Sequence, residues 1–277
     1  RICKVPEYYV TRTELGLLRS IAWELTRNFE NGDLVELGSG ANWKIRILLD
    51  ALGSARRSTT RYVPVDVSET ALLAAARQLL KLYPELEVTG VVADFTRDLH
   101  QLPTGRSKLV LFFGSTIGNL NEAESMIFLE AVADTLADGD RFILGLDMIK
   151  SPEIVEAAYN DSQEITAAFN KNILLVLNRE LRATFDPDDF DHLAFFNEDE
   201  GRIEMHLRAN RRVDVEIRDL DDSILLQKGE TIRTEICRKF SRSSAEEMLN
   251  RAGLAVARWH TDPKGWFSVA EVSRLGS

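Results

Sequence analysis

Two rhythms of apolar residues alternate along the first half of the chain. Runs in which nearly every position is apolar, at 34–37, 62–66, 87–93, 108–114 and 141–146, predict strands buried on both faces. At 15–29, 44–52, 69–83 and 122–138 the apolar residues instead recur every three to four positions, which predicts amphipathic helices. End signals agree with these limits. Thr11-x-x-Glu14 reads as a capping box for the first helix, Ser68 as the cap of the third, and Asn121-x-x-Glu124 as a second box, while Asn31-Gly32-Asp33 and Asp138-Gly139-Asp140 read as breaks. Strands alternating with helices imply right-handed crossovers and a parallel sheet covered on both faces, an α/β fold of Rossmann-like type.

After Lys150 the rhythm changes. Ser151-Pro152-Glu153 opens a helix that reaches 160, and a second covers 163–181. Strand-like runs at 202–207, 213–217 and 230–240 predict antiparallel, hairpin-joined pairing. Ser243-x-x-Glu246 reads as the cap of a further helix, and runs at 254–260 and 266–272 are strands able to rejoin the first sheet. The expected organisation is therefore a domain made of 1–148 and 241–277, interrupted by a β-rich insertion at 149–240.

Composition narrows the function classes. A chain of 277 residues with 44% hydrophobic content can bury a full core. Its formal charge of −10 repels a phosphate backbone, and basic residues form no block beyond pairs such as Arg211-Arg212, so nucleic acid is not expected as a partner. No run approaches the roughly 20 apolar residues that cross a bilayer, and no signal-like segment opens the chain, so no membrane association is expected. Cys3 and Cys237 lie far apart with no Cys-x-x-Cys pair, and His100, His192, His206 and His260 lack ligand spacing. The expectation is a protein without a metal site in a reducing cytoplasm, as a monomer. Because the chain opens on Arg1 rather than Met, a segment ahead of it is expected to have been removed.

The run Leu34-Val35-Glu36-Leu37-Gly38-Ser39-Gly40 carries the first chemistry: a strand ending in two glycines ahead of a helix. Such a turn lets the backbone approach a nucleotide closely. A dinucleotide fingerprint would need a small third residue where this chain has Trp43, and no phosphate-cradling G-x-x-x-x-G-K-S/T string occurs. The remaining reading is a Glu-x-Gly-x-Gly turn facing a ligand with ribose and adenine but no phosphate, which suggests S-adenosylmethionine. Two later strand ends fit it. Asp66 can accept from both ribose hydroxyls, Asp94 can accept from an adenine amino group, and Phe95 can cover the base. Either aspartate alone reads as an ordinary turn residue; both in order after the glycine turn favour the pocket.

Longer strings add a family. Pro6-Glu-Tyr8-Tyr9-x-Thr-Arg12, Phe112-Phe-Gly-Ser-Thr-Ile-Gly-Asn119-Leu, Ala158-Tyr159-Asn-Asp, Phe169-Asn-x-Asn, Asn178-Arg-Glu, Arg202-Ile-Glu-Met205 and Thr234-Glu235-x-x-x-Lys239-Phe240 span nearly the whole chain. Together they resemble the histidine-specific Nα-methyltransferases of the ergothioneine pathway. The resemblance implies a class I methyltransferase sheet with an inserted α+β substrate-recognition domain. It also implies transfer of three methyl groups from S-adenosylmethionine to the α-amine of free L-histidine, giving hercynine.

Carried over position by position, the resemblance adds Tyr8 and Lys44 to the cofactor set of Gly38, Gly40, Asp66, Asp94 and Phe95. It implies substrate contacts from Tyr8, Gly114, Asn119, Tyr159, Met205, Glu235 and Cys237. Asn119 and Tyr159 stand as the catalytic pair, the amide orienting the amino-acid head group and the phenol donating to its carboxylate or facing the amine. Glu235 would accept an imidazole N–H, with Met205 lining the ring pocket. Outside the family pattern these residues read as a turn asparagine, a core tyrosine, a solvent-facing strand glutamate and a core methionine. Where the family commonly has Ser, this chain has Cys237, a weaker hydrogen-bonding group. The resemblance implies an aromatic segment ahead of Pro6, so either a trimmed chain or an incomplete active site is expected. Two alternatives stay open: a modified tryptophan as substrate, or a cofactor-binding relative without activity.

Overall fold

The structure, a computed structural model, describes residues 2–40 and 42–276. The chain falls into two compact units, a larger one of Val10–Met148 with Phe240–Ser277 and a smaller one of Arg1–Tyr9 with Ile149–Lys239. The sequence boundary at 148 leaves the chain's start with the nucleotide-binding part, yet residues up to Tyr9 group with the smaller unit. Local bonds are the reason: Glu7 Oε1 accepts from the Ser162 hydroxyl at 2.6 Å and its N–H at 3.2 Å.

In chain order come α1 (Tyr9–Thr26), β1 (Asp33–Leu37), α2 (Trp43–Arg57), β2 (Arg61–Asp66), α3 (Glu69–Leu82), β3 (Glu87–Val88), β4 (Val91–Val92), β5 (Lys108–Phe112), α4 (Glu122–Thr135) and β6 (Arg141–Asp147). Every residue of β1 and β5 is buried, as the unbroken apolar runs require. β1 pairs in parallel with β2 on one side and β5 on the other. The winding direction therefore reverses between β1 and β5, and a crevice opens beyond their carboxyl ends. Ser68 and Asn121 cap α3 and α4 as expected, Asn121 in a full capping box with Glu124.

Two expectations fail in this stretch. The single strand at 87–93 is two short pieces, each paired with β2, with the interruption at Thr89-Gly90, where the glycine has no side chain to hold the pleat. The capping box at Thr11 is absent: α1 already runs from Tyr9, so Thr11 and Glu14 lie inside it.

The smaller unit continues with α5 (Pro152–Tyr159), α6 (Ile165–Leu181), β7 (Phe190–Asn197), β8 (Arg202–Ala209), β9 (Val213–Ile217), β10 (Asp222–Leu226) and β11 (Thr231–Arg238). β8 is central in an antiparallel sheet ordered β11-β8-β7, and β9 with β10 forms a separate hairpin. Leu174 of α6 packs with Phe185, Phe190, Leu207 and Val215 in its core. β7 and β10 are strands that sequence periodicity does not indicate.

The chain then returns to the larger unit through α7 (Arg242–Arg251), β12 (Leu254–Thr261) and β13 (Phe267–Arg274). The cap of α7 is Ser241 rather than Ser243: its hydroxyl accepts from the Ser244 N–H at 3.0 Å, while Glu246 pairs with Arg242 one turn along. The completed eight-stranded sheet runs β12-β13-β6-β5-β1-β2-β3, with β4 also on β2. β13 lies antiparallel to both β6 and β12. Val35, Val63, Phe112, Phe142 and Leu144 of the sheet are buried against Phe128 of α4 and Leu249 of α7. No helix among the described residues is long and apolar enough to cross a membrane.

Candidate active site

At the carboxyl end of β1, Gly38 adopts φ +70, a left-handed conformation that glycine reaches without steric cost. The Gly38 and Ser39 N–H groups both donate to the Val65 carbonyl, which ties the turn to the end of β2. A Cβ at Gly38 would meet the Phe95 ring at 3.4 Å, so this turn and the one carrying Phe95 touch. Gly40 differs: its φ is not left-handed, and an added Cβ would meet nothing within 4 Å.

The carboxylates after β2 and β4 stand where the sequence analysis expects them. Asp66 Oδ1 accepts the Ser68 N–H at 2.9 Å, which holds the side chain at its strand end. Asp94 Oδ1 accepts both the Thr96 hydroxyl at 2.6 Å and its N–H at 2.9 Å. Those bonds hold the Asp94 carboxyl below the usual carboxylate range. The Phe95 ring meets Phe112 and Phe128 edge-on, at centroid distances of 5.2 and 6.0 Å. It is anchored in the core at its back.

Across the crevice mouth, Lys44 at the start of α2 extends its ammonium to 2.6 Å from Glu14 Oε2. Glu14 Oε1 accepts the N–H of Gly114, in the turn after β5, at 2.7 Å. Gly114 has φ +80, and a Cβ there would stand 3.1 Å from Lys44 Nζ. Gly145 of β6 leaves the room Glu14 needs, since a Cβ at Gly145 would lie 2.7 Å from Glu14 Oε1. Asn119 closes the short 3-10 turn that follows, exposed and just ahead of the Asn121 cap.

Glu36, the glutamate of the Glu-x-Gly-x-Gly turn, is buried near the end of β1. Its carboxyl is fully enclosed and accepts the Tyr62 hydroxyl at 2.5 Å. Burial raises its pKa to about 7; the Tyr62 bond and the Lys44 charge pull it down, and the Glu14 charge pushes it up. Glu14, expected as the acid of a capping box, instead lies inside α1 and carries the Lys44 and Gly114 contacts.

The smaller unit holds the second group. Tyr159 ends α5, buried, with the Tyr8 ring edge-on at a centroid distance of 6.3 Å. Its hydroxyl lies 3.3 Å from Lys239 Nζ, and that ammonium is 3.2 Å from Cys237 Sγ. On β11, Glu235 lies directly opposite Met205 of β8, and Cys237 opposite Ile203, so these side chains leave the sheet on one face.

A β-bulge produces that alignment. The register shifts between Arg233 and Glu235, leaving Thr234 as the extra residue. The Thr234 hydroxyl is 2.5 Å from Asn170 Oδ1 and 3.1 Å from the Met205 carbonyl, and Asn170 Nδ2 donates to the His206 carbonyl at 3.0 Å. Asn170 of the Phe169-Asn-x-Asn string thus clamps the bulge. Asn178 has a similar task, bonding the Phe185 N–H and carbonyl at 2.8 and 2.7 Å. On the opposite face of β8, Arg202, Asn197 and His206 surround Glu204. Despite its burial, those bonds hold the Glu204 carboxyl down to about 2.

The expected residues therefore form two sets. Gly38, Gly40, Lys44, Asp66, Asp94, Phe95, Gly114 and Asn119 stand at the carboxyl edge of the larger sheet, and Tyr8, Tyr159, Met205, Glu235 and Cys237 stand in the smaller unit. The first set offers acceptors for hydroxyl and amino groups, a cation for a carboxylate and a bare backbone turn. That chemistry fits S-adenosylmethionine.

Comparison with known proteins gives the family and the fold. Residues 1–274 match the family model of S-adenosylmethionine-dependent, histidine-specific methyltransferases. Histidine N-alpha-methyltransferase of Mycolicibacterium smegmatis is 42% identical over 270 residues, covering 98% of this chain and 84% of that protein. A 4-dimethylallyltryptophan N-methyltransferase of Penicillium roqueforti is 26% identical over 275 residues, covering 94% of this chain and 78% of that one. The solved structure of the glycopeptide N-methyltransferase MtfA with sinefungin shares the fold at a TM-score of 0.51 and 16% identity, covering 93% and 87% of the two chains. The expectations of a class I methyltransferase sheet and of S-adenosylmethionine as cofactor hold, and the chain belongs to the S-adenosylmethionine-dependent, histidine-specific methyltransferases.

Proposed function

We propose that this enzyme methylates the α-amine of free L-histidine, carrying it to the trimethylated product as a step of ergothioneine formation. The observation that carries the substrate choice is the placement of Glu235 by the bulge: a carboxylate on the face of Met205 and Cys237 suits a ring that is apolar at its carbons and donates through nitrogen.

The cofactor supplies an electrophilic methyl carbon on a sulfonium. Asp66 would accept from ribose hydroxyls, Asp94 from the adenine amino group, and Lys44 would hold the methionyl carboxylate. Asn119 orients the amino-acid head group, the Tyr159 hydroxyl donates to its carboxylate, and Glu235 accepts the imidazole N–H. The amine needs a free lone pair for in-line displacement, so each transfer follows loss of a proton from nitrogen. No protein nucleophile is required. Aromatic faces such as Tyr159 also favour the quaternary ammonium product.

Labelled S-adenosylmethionine incubated with a panel of amino acids tests the reading. Histidine is expected to take the label, and label on another amino acid alone would overturn the substrate choice. A modified tryptophan is the second reading, favoured by Cys237, whose thiol bonds an imidazole less well than a hydroxyl would. Glu235 weighs against it. Binding of the cofactor without product in a single turnover would instead support the inactive-relative reading. We also place the enzyme in a reducing cytoplasm as a monomer; the free thiols of Cys3 and Cys237 support the compartment, and light scattering on the intact chain tests the oligomeric state.

A further inference from the structure

Lys239 follows the last residue of β11 and is 4% exposed. Lysines at strand ends ordinarily extend the ammonium into water, since burying it is costly unless hydrogen bonds replace the lost hydration. Here the stem turns inward. Nζ comes within 3.3 Å of the Tyr159 oxygen and 3.2 Å of Cys237 Sγ, and lies 5.1 Å from the Tyr159 ring centroid. The backbone is held as well, the Lys239 N–H donating to the Gly201 carbonyl at 2.8 Å.

An ammonium has donors and no acceptor. Both contacts therefore run one way: the phenol oxygen accepts, the sulfur accepts, and the single hydrogen of each must be directed elsewhere. The positive charge also polarises the phenol, making its O–H a stronger donor. We propose that Lys239 is a positioning residue for substrate recognition, fixing Tyr159 as a donor toward the amino-acid carboxylate. The proposal rests on the reading that Tyr159 contacts the substrate. It adds that the direction of that hydrogen bond is imposed by a neighbour the substrate need not touch.

A double-variant cycle on the full chain tests it, with the histidine KM and kcat from initial rates and the S-adenosylhomocysteine Kd from calorimetry. Tyr159→Phe is expected to raise the histidine KM about tenfold or more, the loss of a hydrogen bond to a charged group. Lys239→Met, close in volume, is expected to raise that KM in the same direction with the cofactor Kd unchanged. In the Tyr159→Phe background, Lys239→Met should add less than about twofold, because it acts through a hydroxyl already gone. Full additivity of the two changes would overturn the proposal, since a purely structural role gives that result, and so would an unchanged KM in Lys239→Met. An unchanged KM in Tyr159→Phe alone would overturn the underlying reading of Tyr159 and the proposal with it. Should Lys239→Met not fold, Lys239→Gln, too short to reach the phenol, replaces it under the same criteria.

Discussion

Lys44 Nζ stands 2.6 Å from the fully buried carboxylate of Glu14, and the other oxygen of that carboxylate takes the Gly114 N–H. One side chain from α1 thus ties the helix after β1 to the turn after β5, the two strands between which the winding reverses. Glu14→Ala would strand a partly enclosed ammonium and a backbone donor together. Breaking one partner of a buried pair costs about 3 kcal/mol or more, so urea unfolding should register a loss of that order. A loss below about 1 kcal/mol would mean that water replaces the carboxylate.

The two glycines of the first turn should respond differently. Gly38 has φ +70, so Gly38→Ala is expected to cost about 1–2 kcal/mol from backbone conformation alone. Gly40 has neither a left-handed φ nor a neighbour within 4 Å of an added Cβ. Gly40→Ala should therefore leave stability within about 0.5 kcal/mol. Any drop in its cofactor affinity by calorimetry would reflect contact with the ligand. Equal thermal destabilisation of both variants would contradict the distinction.

Asp66→Ala and Glu235→Ala should separate cofactor from substrate. The first is expected to weaken S-adenosylmethionine binding by about 1.5–3 kcal/mol, the range for hydrogen bonds to a charged acceptor. The second should lower histidine turnover and spare the cofactor Kd. Parallel loss of cofactor binding in both variants would place Glu235 in the wrong role.

Glu36 predicts a pH effect. Its folded pKa is about 7 against an ordinary 4.5, so between those values the folded state holds a proton that the unfolded chain has released. The stability this contributes is fully present below about 4.5 and is lost as pH rises through 7, by up to about 3 kcal/mol. Glu36→Gln removes the titration. Relative to the parent, the variant should gain stability between pH 5 and 8 in urea unfolding; matching pH slopes would sink the assignment.

Much of the larger unit is legible because parallel strands buried on both faces leave unbroken apolar runs, as at Leu34–Leu37 within β1, and because Ser68 and Asn121 obey local capping chemistry. The carboxylates at the ends of β2 and β4 follow from those strands. What stays hidden is long-range. Glu14 has partners from α2 and from the turn after β5, and nothing near it in sequence marks it as buried. The bulge at Thr234 is held by Asn170 of α6, 64 residues earlier in the chain, through its hydroxyl. β7, with Asp191, His192 and Ala194 among its residues, has weak strand propensity and forms through pairing with β8 along its whole length. β10 is a short strand of a two-stranded hairpin, where pairing with β9 outweighs a start in Asp222-Ser223.

The antiparallel strand β13 bears on how the protein is made. Its partner β6 is buried throughout from Phe142 to Asp147, yet Phe267, which pairs with Asp147, is synthesised about 120 residues later. At roughly 5–20 residues per second, a ribosome leaves that apolar edge without its neighbour for about 6–24 s. During that interval the nascent chain presents an open ladder to other chains. Chaperone demand and inclusion-body formation should therefore track truncation or slowed translation downstream of β6, even where the catalytic residues are intact.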